Sequence, residues 1–100
     1  MSQASDSKIE DTGAEAARRA LHADLGERIV AIRKRLGVGQ AECARGAGID
    51  VSSMFRIEKG GQNLTVETLA RIAISLGVAL DELVIGIEPD SGMIEPRSRD

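Results

Sequence analysis

Between Gly39 and Gly60 the chain reads GQAECARGAGIDVSSMFRIEKG, a stretch that few folds accommodate. Two short helices, Gln40 to Ala47 and Val51 to Lys59, are predicted on either side of Gly48, Ile49 and Asp50. Gly48 suits a turn that needs positive φ, a region residues with a Cβ resist. Asp50 offers a carboxylate to the free N–H groups of the second helix, as an N-cap does. Ile49 is the one apolar turn residue and is expected to point inward. Met54 and Ile57, three apart, would put one face of the second helix on the same core.

Helical patterns flank this stretch. Leu25, Ile29, Ile32 and Leu36 recur at spacings of four, three and four, which predicts an amphipathic helix over Leu25–Leu36 ended by Gly37. Its other face carries Arg28, Arg33, Lys34 and Arg35. Gly39 is a weak but tolerated cap for the next helix. After the loop GQNL, Thr65 caps a helix Val66–Leu76 with Leu69, Ile72, Ala73 and Leu76 inward, closed by Gly77. A short last helix from Leu80 to about Ile85 brings Leu83 to the core, with Asp81 and Glu82 suiting its dipole.

The ends read differently. Residues 1–10 are small and polar and are expected to be disordered. Residues 11–23 are alanine-rich, and Thr12 with Glu15 has capping-box spacing, so an extra helix from about Gly13 to Ala23 is predicted. Asp24 and Glu27 repeat that spacing. This favours a break or bend near Asp24, the alternative being two helices running together through Gly26. Residues 24–85 then form the main domain, with 40–59 as its central pair. Residues 86–100, carrying Pro89, Gly92 and Pro96, are expected to be a flexible tail. No strand pattern or internal repeat is present, so the fold class is all-α.

Phe55 is the one aromatic residue, so the core has to be aliphatic. No run reaches the roughly 18–20 apolar residues of a membrane span, no secretory signal is apparent, and the lone Cys43 forms no internal disulfide, which places the chain in a reducing cytoplasm. The net charge of −3 is unevenly spread, with 24–84 balanced and the deficit in the two ends. Between Arg28 and Lys59, seven basic residues face only Glu42, Asp50 and Glu58, a mildly positive local surface.

Two short helices joined by a glycine-bearing turn are the sequence form of a helix-turn-helix. The pattern Gln40-x-x-Cys43-Ala44-x-x-x-Gly48-Ile49-Asp50-x-Ser52-x-Met54-x-x-Ile57-Glu58-x-Gly60 resembles the phage-repressor/Cro-like (Xre-like) DNA-binding family, from about Leu25 to Val84. The resemblance implies a lambda-repressor-like domain of five helices, here with one extra N-terminal helix. It implies that the second helix of the motif enters the major groove while the first approaches the backbone. Val51, Ser52 and Phe55 match the family's base-reading positions, with Arg56 beside them. Many relatives carry Gln, Arg or Asn there. Val51 and Phe55 offer only apolar contact, Ser52 is unselective, and Arg56 is the candidate for guanine. For Phe55 three readings stay open: thymine methyls or sugars, a protein partner, or packing against the first helix.

Gln40 is expected at a phosphate, unless it merely assists the Gly39 cap. Ser53, Lys59, Gln62 and Asn63 are further phosphate candidates, as are Arg35 and Arg45, while Leu64 replaces a proline common in relatives and leaves that loop less rigid. The resemblance also pairs Arg33 with Glu58 as a structural ion pair. Cys43 is expected to be a small buried hydrophobe, Ser75 a helix-surface residue. With His22 as the sole histidine, no metal site, cofactor site or catalytic constellation is legible, and no enzymatic activity is expected. The leading expectation is a sequence-specific transcriptional regulator, a repressor binding a palindromic operator as a homodimer. Leu80, Val84, Ile85 and Ile87, or the N-terminal helix, would form the dimer surface. The rival is a protein-interaction module on the same fold, an antitoxin holding a toxin or an antiactivator holding another regulator.

Overall fold

Leu25, Ile29 and Ile32 are buried along one face of the first helix, and Ile29 and Ile32 join the core that the later elements share. The structure is a computed structural model describing residues 13–94. Its elements are α1 (Gly13–Leu36), α2 (Gln40–Ala47), α3 (Val51–Glu58) and α4 (Val66–Leu76), followed by short 3-10 turns at Leu80–Leu83 and Ser91–Met93. The class is all-α, with four α-helices among the described residues rather than five plus one. The segment expected as a last helix from Leu80 to about Ile85 is a four-residue 3-10 turn, Leu80–Leu83, with Val84 leaving helical geometry at φ −126°.

The core gathers Ile29, Ile32, Cys43, Ala44, Ala47, Met54, Ile57, Ile72, Ala73, Leu76 and Leu83, with Val38, Ile49, Leu64 and Leu69 packed at its edge. Leu64 therefore anchors the loop after α3 by burial, where a proline would have stiffened it. Leu36, expected inside, is 43% exposed, and Val38 beyond the helix end packs on the core instead. Gly37, Gly48 and Gly77 all have φ near +70° and end their helices in the left-handed conformation. Thr65 Oγ1 accepts the Thr68 N–H at 3.0 Å, a capped start for α4. Asp50 holds the N-cap position of α3, but its carboxylate takes the Ser52 hydroxyl at 3.2 Å and closes no backbone cap bond.

No break occurs near Asp24: α1 is one helix of 24 residues. The alternative holds: the helices run together through Gly26, which is buried inside the continuous helix. A Cβ there would lie 2.5 Å from the Glu58 carbonyl oxygen and 2.7 Å from that of Ile57. The glycine costs α1 about 1 kcal/mol of helix propensity, and in return the end of α3 lies directly against α1. Gly60 makes a second close approach, with φ +78° and a notional Cβ 2.8 Å from Ala23 Cα.

The segment after Gly86 is likewise not a loose tail as far as Ile94. The turn Ser91–Met93 packs against α1, a Cβ at Gly92 would stand 3.9 Å from the Gly13 carbonyl oxygen, and Ala14 and Ala17 are buried. Asp90 Oδ1 closes the turn by accepting the Gly92 N–H at 2.7 Å. Residues 1–12, with the expected disorder and the Thr12 cap, and residues 95–100 lie outside the described part. Ser75 is not a mere surface residue: its hydroxyl donates to the Cys43 carbonyl at 2.8 Å, tying α4 to α2. It also meets α2 at Gly46, where a Cβ would fall 2.5 Å from Ser75 Oγ.

Candidate nucleic-acid interface

Helix α3 divides its residues between two faces. Met54 and Ile57 are buried, Ser53 and Glu58 half-buried, and Val51, Ser52, Phe55 and Arg56 exposed, with the exposed Lys59 just past the helix end. Val51 and Phe55 stand 45% and 50% open, a large apolar exposure on a helix of eight residues. Phe55 is half open to solvent, and the Lys59 ammonium sits over its ring, 5.4 Å from the centroid. That cation–π contact places a positive charge beside the apolar surface.

Arg56 lies folded along this face. Its Nε donates to Gln62 Oε1 and its Nη2 to Ser53 Oγ, both at 3.1 Å. Gln62 and Ser53 are half-buried and Asn63 is exposed. Gln62 reaches Arg56 across the glycine pair Gly60-Gly61, a meeting that no local periodicity signals.

Behind the exposed row, one carboxylate fixes the helix. Arg33 donates Nε to Glu58 Oε2 at 2.8 Å and Nη2 to Oε1 at 2.9 Å, a two-pronged contact. Gln40 Nε2 donates to the same Oε1 at 2.9 Å, and Arg33 Nη1 caps the Val38 carbonyl at 3.0 Å. The side chains are 12% and 5% exposed for Arg33 and Glu58, so the pair is largely out of water. The bond to Glu58 raises the Arg33 pKa further, so the guanidinium stays charged. Gln40 thus neither completes the Gly39 cap nor points freely outward. The Gly39 N–H is met by Glu42 Oε1 at 3.3 Å.

Two basic residues of α1 are spent internally, Arg33 as the expected pairing implies and Arg28 without any such expectation. Arg33 is committed to Glu58, and Arg28 donates Nη1 to the Glu82 carbonyl at 2.8 Å and Nη2 to the Ile85 carbonyl at 2.6 Å. Arg28 so closes the end of the 3-10 turn, a long-range cap that sequence pattern alone does not show. Arg35 approaches Glu82 loosely at 3.6 Å, while Lys34 and Arg45 are exposed. Cys43 is fully buried, and burial pushes its thiol pKa up, which keeps it protonated and unreactive. Among the described residues no helix is long and apolar enough to cross a membrane.

Residues 29–83 match the family described as helix-turn-helix, HTH_3. A search of curated proteins returns no match. Among solved structures the chain is similar to the restriction-modification controller protein C.AhdI from Aeromonas hydrophila, with 26% identity and a TM-score of 0.62. That alignment covers 64% of this chain and 97% of the other.

Proposed function

The chain belongs to the helix-turn-helix family and is a DNA-binding transcriptional regulator, and from that premise we propose that it is a cytoplasmic homodimeric repressor reading a palindromic operator with α3 in the major groove. The observation that carries this reading is the outward row of α3, held at a fixed angle from behind by the Arg33–Glu58–Gln40 contact. Arg56 is the one residue of the row able to make a two-pronged contact to guanine, and Val51 and Phe55 suit thymine methyls. Lys59 and Asn63 at the helix end lie where backbone contacts set register without reading sequence. The similarity to a restriction-modification controller protein favours a regulator over the protein-interaction module.

The test is fluorescence-anisotropy binding to the DNA upstream of its own gene against scrambled DNA, at two salt concentrations. Wild type is expected to bind the upstream DNA more tightly and to weaken with salt as phosphate-bound counterions are released. Arg56→Ala is expected to lower discrimination by about tenfold to a hundredfold, the worth of one good base contact. Equal, weak binding to both DNAs, with stable capture of a protein through Phe55, would instead favour the interaction-module reading, which the exposed Val51 and Phe55 also fit.

One reading helix covers only a few base pairs, and useful affinity comes from two half-sites about 34–36 Å apart. Ile74, Leu80, Val84 and Ile85 are exposed at the end of α4 and in the turn after it, and Ile74 is 75% open. Ile87, expected to join them, is half-buried, so Ile74 replaces it in the proposed dimer surface. Ile74→Asp with Val84→Asp is expected to turn a dimer into a monomer in sedimentation equilibrium and to weaken operator binding. Unchanged mass for the double variant would move the interface elsewhere.

A further inference from the structure

The geometry points to Gln62 as a positioning residue that sets base specificity through Arg56, an inference that rests on α3 being the reading helix. A guanidinium has five N–H donors in a rigid plane. Nε and Nη2 share one edge of that plane, and here both are engaged, by Gln62 Oε1 and Ser53 Oγ at 3.1 Å each. The opposite edge, Nη1 with the second N–H of Nη2, keeps the parallel pair of donors that matches O6 and N7 of guanine. Gln62 and Ser53 so decide which edge of Arg56 is offered and in which direction.

The two partners approach from different elements, Ser53 one helical turn before Arg56 and Gln62 from the loop after Gly60. Leu64, packed on the core two residues further on, fixes that loop. An arginine held at two points has given up its rotamer freedom before DNA arrives. A free one gives it up on binding, and gives it up equally for a phosphate or a wrong base. The clamp therefore acts on discrimination more than on total affinity. This differs from Gln62 touching a phosphate, which would strengthen binding to every sequence alike.

The test uses the full chain and a pool of DNA duplexes with a randomised core spanning two helical turns. The enriched duplex and its single-base-pair variants are then titrated with wild type, Arg56→Ala, Gln62→Met, Gln62→Glu and the double variant Arg56→Ala/Gln62→Met. Methionine keeps the length of the side chain and removes the acceptor. At the base pair where Arg56→Ala loses preference, Gln62→Met is expected to lose roughly three- to tenfold of it, the worth of one pre-ordered side chain. The double variant is expected to be no worse than Arg56→Ala alone, since the clamp acts only through the arginine. Gln62→Glu retains an acceptor and is expected to keep the base preference while binding all duplexes more weakly. Uniform weakening by Gln62→Met, additive with Arg56→Ala, overturns the clamp and leaves the reading helix standing. Enrichment of no sequence by wild type removes both.

Discussion

Glu58→Ala is expected to cost about 3–5 kcal/mol of folding stability, as removal of one partner from a buried ion pair does. The substitution deletes the acceptors of three hydrogen bonds, two from Arg33 and one from Gln40, in a place where the carboxylate is only 5% exposed. Arg33 keeps its bond to the Val38 carbonyl, so its charge remains held in the protein with its counter-charge gone. For a domain of this size the midpoint of thermal unfolding should fall by about 12 °C or more. The companion experiment is Arg33→Met with Glu58→Leu. Replacing both partners by apolar groups strands no charge, and most of the stability should return. Urea melts check both. A loss under about 1 kcal/mol for Glu58→Ala would show that the pair behaves as a surface salt bridge.

Gly26→Ala is the second large effect, and its sign runs against helix propensity. In an open helix alanine would stabilise by about 1 kcal/mol. Here the new Cβ would meet two backbone carbonyl oxygens at 2.5 and 2.7 Å, and neither can rotate away as a side chain could. Forcing the end of α3 from α1 is expected to give a net loss of about 2–3 kcal/mol, the range for overpacking a rigid site. Because those carbonyls belong to Ile57 and Glu58, the tilt of the reading helix should change too, and specific DNA binding should weaken beyond what the lost stability explains. Gly13→Ala serves as the control, since nothing lies within 4 Å of its notional Cβ. Chemical denaturation of the two variants side by side checks the contrast. Equal melts would mean that α3 yields without cost.

The contrast between these glycines shows what a sequence does and does not display. Gly37, Gly48 and Gly77 act on their own backbone, so their roles follow from position beside a helical pattern. Gly26 acts on residues more than thirty positions away, and nothing in the sequence around it points to them. The same distance hid Arg28 as the cap of a turn near the other end of the chain, and Ser75 as the tie between α4 and α2. Docking of the Ser91–Met93 turn on α1 had no pattern to announce it either, because glycine, proline and charge look the same in a loose tail and in a pinned one. At the interface, the inward and outward residues of α3 were legible from period alone. The partner of Arg56 was not, since Gln62 reaches it through a loop whose path depends on where Leu64 is buried.

The division of α3 into a held face and an open row bears on how such a chain diversifies. The pose of the helix is set by Met54, Ile57, Glu58 and the glycine contact, none of which lies in the outward row. Substitutions at exposed positions usually shift stability by no more than about 0.5 kcal/mol. Val51, Ser52 and Phe55 can therefore drift among side chains of different chemistry while the scaffold behind them stays intact. A duplicated copy could acquire a new target by changes there alone, without passing through an unfolded ancestor.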